Sequence, residues 1–261
     1  MLKLSANLTL MFAESVFLDR FDAAARAGFK AVEIMYPYEY AAGDIAARLA
    51  SNGLTQSVIN LPPGDYAAGE RGLAGLPDRE ADYQQSLELG LEYALALGCK
   101  RVHLLTGNLP SGATLQDVRP QLIDNIGKAL QVFAPHGIGV LLEPLSKEIF
   151  PRYSLSTVAE AVSLIEEVGS PQLRVQLDIY HTQMEEGNLC ALIDRYYRYI
   201  DYIQIAGVPG RHEPDVGEIN YAFIFALLEE KGFGGWVGCE YVPKAGTLAG
   251  LGWARRFGIH G

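Results

Sequence analysis

Short apolar segments alternate with longer amphipathic segments along the whole chain, and this alternation limits the fold more than any other feature. Short apolar or β-branched runs are typical of buried strands, and amphipathic stretches of ten or more residues are typical of helices. The eight predicted strands are Lys3 to Leu8, Ala31 to Met35, Thr55 to Asn60, Arg101 to Leu105, Gly139 to Leu142, Leu173 to Leu177, Tyr202 to Ile205 and Trp236 to Cys239. This order predicts parallel strands joined by helical crossovers.

Seven longer helices and one short final helix are predicted between and after these strands. They are Val16 to Ala27, Gly43 to Ser51, Arg79 to Leu97, Leu115 to Ala134, Thr157 to Val168, Leu189 to Tyr199, Tyr221 to Lys231 and Leu248 to Arg255. Glycines in a left-handed conformation are expected to end several of them, at Gly28, Gly53, Gly98, Gly137 and Gly232. Ser156 and Asn188 are predicted N-caps.

Eight strand–helix units in 261 residues fit one α/β domain, a single (β/α)8 TIM barrel that covers residues 1–261. No linker, repeat or low-complexity tract divides the chain. An open doubly wound sheet has similar local patterns and stays as the alternative.

Charge and cysteine content exclude several classes of protein. The formal net charge is −10, and no cluster of Lys or Arg is present, so binding to nucleic acid is not expected. No apolar run approaches the roughly 18 residues of a membrane-spanning helix, and the N-terminal segment is interpreted as a strand. Cys99, Cys190 and Cys239 are odd in number and far apart, which indicates a reducing, cytoplasmic location.

Oxygen-bearing side chains stand at the ends of the last four predicted strands: Glu143, Asp178, Gln204 and Glu240. In a barrel these positions share one rim, where catalytic groups gather. Each carboxylate taken alone is as consistent with a local hydrogen bond as with a functional role. Three carboxylates close together, however, repel one another. A divalent cation, Mg²⁺ or Mn²⁺, removes that repulsion, so the series predicts a shared metal site.

Three further residues in the loops of the same rim are candidates for binding a substrate. His181 follows Asp178 in the run DIYH, and Arg211 lies in the loop after Gln204. Arg71 lies in a long Gly- and Pro-rich loop, Leu61 to Pro77. A guanidinium matches a carboxylate with two hydrogen bonds, so either arginine fits an anionic substrate, although each is equally consistent with a solvated surface residue.

Other polar and aromatic side chains near the rim receive supporting roles. Glu33, His103 and Asn7 lie in or at the ends of predicted strands and are expected to hold loops or line the barrel mouth. Three tyrosines after the second strand are expected to cover the barrel end; they are Tyr36, Tyr38 and Tyr40. Cys239 alternates with Glu240 and is expected to pack outside the barrel.

Several longer motifs resemble the hydroxypyruvate isomerase family, within the xylose-isomerase-like barrels that also include sugar epimerases and endonuclease-IV-type enzymes. The motifs are SANLTLMF, GFKAVEIMYPY, PPGDYAAGERG, LLEPLS, QLDIYH, QIAGVPGRHEPDVGEINY and GWVGCEYVP, and they span nearly the whole chain. The same segments also resemble the sister group of 2-oxo-tetronate isomerases.

The resemblance implies roles for the rim residues. Glu143 and Glu240 would be the paired acid and base, and both would bind a divalent metal together with Asp178 and Gln204. His181 would contact the substrate, and Arg211 matches a position on the substrate side. Many relatives have His where this chain has Gln204, which leaves open whether a metal is required.

The implied reaction is the interconversion of hydroxypyruvate and 2-hydroxy-3-oxopropanoate (tartronate semialdehyde) through an enediolate. Its partner is therefore a small hydroxy-keto acid, and a homo-oligomer is compatible with the sequence. The first alternative is a 2-oxo-tetronate isomerase with the same chemistry on four carbons. A His-rich zinc nuclease fits poorly with five histidines and an acidic chain, and a non-catalytic carbohydrate-binding barrel fits poorly with two intact glutamates.

Overall fold

Eight parallel strands close into a barrel in the computed structural model, which describes residues 1–261. The strands are β1 (Lys3–Asn7), β2 (Ala31–Ile34), β3 (Thr55–Asn60), β4 (Arg101–His103), β5 (Gly139–Leu142), β6 (Leu173–Asp178), β7 (Ile200–Ile205) and β8 (Trp236–Cys239). Each strand pairs with the next, and β8 pairs with β1, so that Gly238 lies beside both Ser5 and Gln204. The closed ring confirms the predicted barrel and excludes the open sheet, and the predicted strand ends differ from the observed ones by at most two residues.

Helices follow the strands in the expected order. They are α1 (Arg20–Arg26), α2 (Ala42–Asn52), α3 (Glu80–Ala96), α4 (Leu115–Phe133), α5 (Val158–Val168), α6 (Ile179–Glu185), α7 (Leu189–Tyr196), α8 (Tyr221–Glu230) and α9 (Thr247–Gly250). Short 3₁₀ segments precede or extend four of the predicted helices: Phe17–Asp19, Ala134–His136, Tyr197–Tyr199 and Leu251–Phe257. None of the helices combines the length and the apolar character needed to cross a bilayer.

The predicted helix ends were only partly right. The five glycines all have positive φ, between 60° and 102°, as expected for residues that end a helix. The predicted cap Ser156 is wrong by one residue, because Thr157 accepts the hydrogen bond from the Glu160 amide. Asn188 stands at the N-cap position of α7, as predicted, but in a left-handed conformation and without a side-chain hydrogen bond.

The inside of the barrel is polar, whereas the main apolar core lies between the strands and the helices. Cys239 is buried in that apolar core, as predicted. Ser5, Glu33, Ser57 and Tyr202 are buried and bonded to one another across the barrel. Buried polar groups of this kind require hydrogen-bond partners, so the interior specifies a defined network.

Candidate active site

The four predicted oxygen-bearing residues meet at the carboxyl ends of β5 to β8. Glu143 and Glu240 directly follow β5 and β8, Asp178 is the last residue of β6, and Gln204 lies near the end of β7. All four are at least 94% buried. The structure therefore brings together the rim residues that the sequence selected.

Glu240 is held by donors from three directions. Its Oε2 accepts hydrogen bonds from Asn7 Nδ2 at 3.2 Å and from Gln204 Nε2, and its Oε1 accepts from Arg211 Nη2. Burial raises the pKa of Glu240 well above its usual range, and the Arg211 charge opposes that rise. These donors fix the plane of the carboxylate.

Glu143 has fewer donors. Its Oε2 lies 2.9 Å from Gln176 Nε2 and 3.2 Å from His103 Nδ1. Burial raises the pKa of Glu143 well above its usual range, and the charges of Glu240 and Asp178 raise it further. Burial lowers the pKa of His103 to about 3, so its ring is neutral at pH 7 and supplies no counter-charge. This carboxyl group is therefore poised to carry a proton.

Arg211 is the basic side chain that pairs with the rim carboxylates. Its Nη2 lies 2.9 Å from Asp178 Oδ2 and also donates to Glu240 Oε1. Its guanidinium also lies 5.1 Å from the centre of the Tyr180 ring. Arg211 thus bridges two carboxylates of the protein, with one face of the group against an aromatic ring.

His181 lies in α6, and the expectation that it begins a loop is wrong. The Asp178 carboxylate caps this helix by accepting a hydrogen bond from the Tyr180 amide at 2.7 Å. His181 Nε2 lies 3.8 Å from Asp178 Oδ2, and its Nδ1 faces the Ser146 amide at 3.4 Å. Burial lowers the pKa of His181 to about 4, so the imidazole is neutral, the form that binds metals.

Glu143, Asp178 and His181 form a buried group whose ligand atoms all lie within 4.8 Å of one another. Two carboxylates and a neutral imidazole are a donor set that can hold a divalent cation. Gln204, in contrast, turns its Oε1 to Gln176 Nε2 at 2.8 Å, and its Nε2 donates to Glu240 and Glu33. The amide oxygen of Gln204 is therefore already in use.

Glu33 lies beneath Glu240 in the barrel and was given only a supporting role from the sequence. Its Oε1 accepts from Asn7 Nδ2 at 2.8 Å, and its Oε2 accepts from the Tyr202 phenol at 2.5 Å. Burial raises the pKa of Glu33 to about 7, against the effect of these hydrogen bonds. Asn7 also bonds Glu240, so the supporting role is consistent with the contacts.

Two residues of this buried hydrogen-bond network were not selected from the sequence as site residues: Gln176 and Tyr202. Each stands two positions before a rim residue that was selected, Asp178 and Gln204 respectively. Side chains two apart on a strand point to the same side of the sheet. The signal was therefore the alternation within the strands LRVQLD and IDYIQI.

The long loop after β3 is irregular, as predicted, and carries Arg71 at the edge of the site. Arg71 Nη1 donates to the carbonyls of Glu70 at 2.7 Å and Tyr66 at 3.2 Å, and its guanidinium lies 3.9 Å from the centre of the Tyr66 ring. Tyr36 lies 5.5 Å from Tyr66, ring to ring. These aromatic residues and Tyr38 and Tyr40 border a cavity of about 560 Å³, so the tyrosines line a space and do not merely cover the barrel end.

Comparisons with known proteins agree with this fold. Residues 21–257 match the model of the family described as "Xylose isomerase-like TIM barrel". The chain is 47% identical to the 2-oxo-tetronate isomerase of Cupriavidus necator over 98% of both chains. It is 41% identical to the hydroxypyruvate isomerase of Escherichia coli over 97% of this chain and 98% of the relative. A crystal structure titled as an AP endonuclease, family 2, from Brucella melitensis superposes with a TM-score of 0.96 at 44% identity, over 98% of this chain and 99% of that one.

Proposed function

The chain belongs to the xylose isomerase-like TIM barrel family and is an isomerase, and from this premise we propose that it moves the carbonyl group of a short hydroxy-keto acid between C2 and C3. The observation that carries the proposal is the pair of buried carboxyl groups, Glu143 and Glu240, held by hydrogen bonds on one rim. Two such groups are what a proton transfer between neighbouring carbons requires.

The reaction uses one glutamate as base and the other as acid. The base takes the proton from C3, the electrons of the C–H bond form a C2–C3 double bond, and the former carbonyl oxygen at C2 gains negative charge. The C3 hydroxyl proton then passes to the C2 oxygen, the C3 oxygen becomes the new carbonyl, and the second glutamate protonates C2. The substrate thus gives one proton to the base and receives one from the acid, while its hydroxyl proton moves between its own two oxygens. Either glutamate starts the reaction, depending on the substrate's orientation.

A divalent cation fits the donor set at this rim. We propose Glu143 and Asp178 as its carboxylate ligands and His181 as a third ligand. The set predicted from the sequence was Glu143, Asp178, Gln204 and Glu240. In the structure Gln204 donates to Glu240, and these two residues also accept hydrogen bonds from Gln176 and Arg211, respectively. When bound, the cation would stabilise negative charge on the enediolate oxygens. The imidazole favours Mn²⁺ over Mg²⁺, which prefers an all-oxygen set.

Three side chains, two arginines and one neutral histidine, are proposed to bind the substrate. Arg71 makes its protein hydrogen bonds through Nη1 alone, so Nε and Nη2 are available for the substrate carboxylate. His181 and Arg211 lie beside Asp178 and are proposed to contact the substrate oxygens. The cavity bordered by Tyr36 and Tyr66 lies among the loops that follow β1, β2 and β3.

The motifs pointed first to hydroxypyruvate, but the sequence identities to named relatives favour 2-oxo-tetronate as the better substrate. Three relatives named 2-oxo-tetronate isomerase are 45–47% identical to this chain, compared with 41% for the hydroxypyruvate isomerase of Escherichia coli. The four-carbon acid has one more hydroxymethyl group and reacts by the same steps. Hydroxypyruvate is the second candidate, and a cytoplasmic location and a homo-oligomer stay predictions.

The test is the turnover of purified enzyme on both acids in deuterated water, before and after chelation and with added Mn²⁺. We expect turnover with deuterium incorporation, a higher kcat/KM for 2-oxo-tetronate, and loss of activity on chelation that Mn²⁺ restores. A higher kcat/KM for hydroxypyruvate would select the second candidate. Absence of exchange on both acids would contradict the isomerase proposal and favour a non-catalytic barrel.

A further inference from the structure

Gln176 connects the two proposed catalytic glutamates through a single line of hydrogen bonds. Its Nε2 donates to Glu143 Oε2 at 2.9 Å and to Gln204 Oε1 at 2.8 Å, and Gln204 Nε2 donates to Glu240 Oε2. We propose that Gln176 is a positioning residue that fixes Glu143 relative to Glu240 through Gln204. This inference rests on the proposed two-glutamate reaction, and we name the Glu143–Gln176–Gln204–Glu240 series the amide bridge.

The orientation of both amides in the amide bridge is determined by their neighbours. If Gln176 turned over, its oxygen would face the oxygen atoms of Glu143 and Gln204, and no donor would remain between them. Gln204 is fixed in the same way, since its Nε2 faces the carboxylates of Glu240 and Glu33. Only one arrangement of each amide therefore satisfies the bridge.

Asn7 fixes the far end of the amide bridge to the backbone. Its Oδ1 accepts hydrogen bonds from the amides of Thr9 at 3.0 Å and Leu10 at 3.3 Å. Its Nδ2 is thereby directed to Glu33 at 2.8 Å and Glu240 at 3.2 Å. The line of bonds therefore ends on rigid main chain and not on a free side chain.

The amide bridge uses only one oxygen of each glutamate. Both contacts to the bridge are made by Oε2, and Glu143 Oε1 makes no hydrogen bond within the protein. Gln176 is 1% exposed, and its own Oε1 is buried without a partner. Its Nε2 contacts only Glu143 and Gln204, so it acts through these side chains.

The amide bridge affects catalysis because it aligns Glu143 with Glu240. Displacement of a catalytic group by about 1 Å can lower the rate about 100-fold. Loss of the Gln176 donor removes the hydrogen bond that holds Glu143 and frees the Gln204 amide. We therefore expect a lower kcat with little change in KM, because substrate contacts are not removed.

The test compares Gln176→Met with Gln56→Met. Gln56 is a matched control because it is 2% exposed, lies in β3, and also has an unpartnered Oε1, while its Nε2 donates only to the Val58 carbonyl. We expect kcat of Gln176→Met to fall about 10- to 100-fold with KM within about twofold. Gln56→Met should keep the wild-type kcat.

Two further readouts separate positioning from general damage. The first readout is the amount of solvent deuterium that enters unconverted substrate for each turnover, and this ratio should change in Gln176→Met. Because Glu143 is released more than Glu240, the ratio should change in opposite directions when the reaction is started from one isomer or from the other. Gln176→Met and Gln204→Met should be non-additive, because either one breaks the same bridge. If Gln176→Met does not fold by circular dichroism, Gln176→Asn keeps an amide that is one methylene group shorter and withdrawn from Glu143, with the same expected loss of kcat.

A kcat within twofold of wild type, or a raised KM with unchanged kcat, would overturn the inference. If the wild-type enzyme turns over neither acid, the proposed function has failed, and the amide bridge is then judged from a crystal structure of Gln176→Met. A changed side-chain conformation of Glu143 in that structure would support the bridge, and an unchanged one would contradict it.

Discussion

Tyr202 donates a hydrogen bond from its phenol to Glu33 Oε2 over 2.5 Å, and both residues are buried inside the barrel. Ser57 Oγ lies 2.8 Å from the same phenol oxygen, so the phenol is held from two sides. Glu33 in turn shares its donors Asn7 and Gln204 with Glu240. The lower layer of the barrel therefore determines where the amides of the catalytic rim lie.

Tyr202→Phe should lower the stability of the protein. The change removes the donor to Glu33 and leaves that carboxyl oxygen less satisfied, which costs about 1–3 kcal/mol at a buried site. The free energy of unfolding in urea measures the effect. Tyr197→Phe is the control, because the Tyr197 phenol donates to the Lys231 carbonyl at a half-buried position and should matter less. Equal stability of the two variants would show that the Glu33 contact contributes little.

The contribution of Glu33 to the stability of the metal-free protein should fall as pH rises from about 4.3 to about 7. Burial raises the pKa of folded Glu33 to about 7, whereas an unfolded glutamate titrates near about 4.3. The folded state therefore binds more protons in this window, and raising the pH favours the unfolded chain by up to about 3 kcal/mol for this group. Urea unfolding with chelator at pH 5 and pH 8 should show that Glu33→Gln loses less stability, or gains more, than wild type as the pH rises. If the free energy of unfolding changes equally between pH 5 and pH 8 in both proteins, Glu33 does not contribute to the pH dependence.

The sequence predicted the barrel and its rim residues because both depend on local patterns. The end of a strand and its alternation are visible in a run such as VQLD. The partners across the barrel were not predictable, because the pairing of Gln176 with Gln204 depends on the stagger between β6 and β7. The helix that holds His181 was missed because it has only seven residues and starts at Asp178, which ends the strand and also caps the helix.

Glu143→Gln and Glu240→Gln should each lower kcat by about 100- to 10,000-fold, the range for removal of a general acid or base. The amide keeps the size of the side chain but cannot take or give the proton. Steady-state turnover on both acids measures the effect, with folding checked by circular dichroism. Glu160→Gln is the matched control, since glutamine also completes the capping box of α5. Wild-type turnover in either rim variant would contradict the two-glutamate reaction.

Arg71→Ala should raise KM about 10-fold or more while kcat changes little, if the free face of the guanidinium binds the substrate carboxylate. Arg71→Lys keeps the positive charge but cannot form a bidentate hydrogen bond to a carboxylate, so its KM should lie between those of wild type and Arg71→Ala. Initial rates over a range of substrate concentrations give both constants. A KM unchanged in both variants would assign Arg71 to the loop contacts with Tyr66 and Glu70 alone.

Removal of His181 should weaken Mn²⁺ binding at least about 10-fold, because it takes away one of three ligands. The imidazole is neutral at pH 7, since burial lowers the pKa of His181 to about 4, and protons therefore do not compete with the metal there. Calorimetry or electron paramagnetic resonance of the substrate-free protein measures the affinity without relying on turnover. His136→Ala is the control, because His136 is exposed and precedes β5, at the opposite end of that strand from Glu143.

The same titration distinguishes the two proposed ligand sets. If Glu143, Asp178 and His181 hold the cation, Gln204→Met should weaken Mn²⁺ binding less than His181→Ala does, because it removes no ligand. If the four-oxygen set with Gln204 and Glu240 holds it, Gln204→Met should show the larger loss and His181→Ala the smaller one. The first result is expected, because the Gln204 oxygen already accepts a hydrogen bond from Gln176, whereas His181 Nε2 lies 3.8 Å from Asp178 Oδ2.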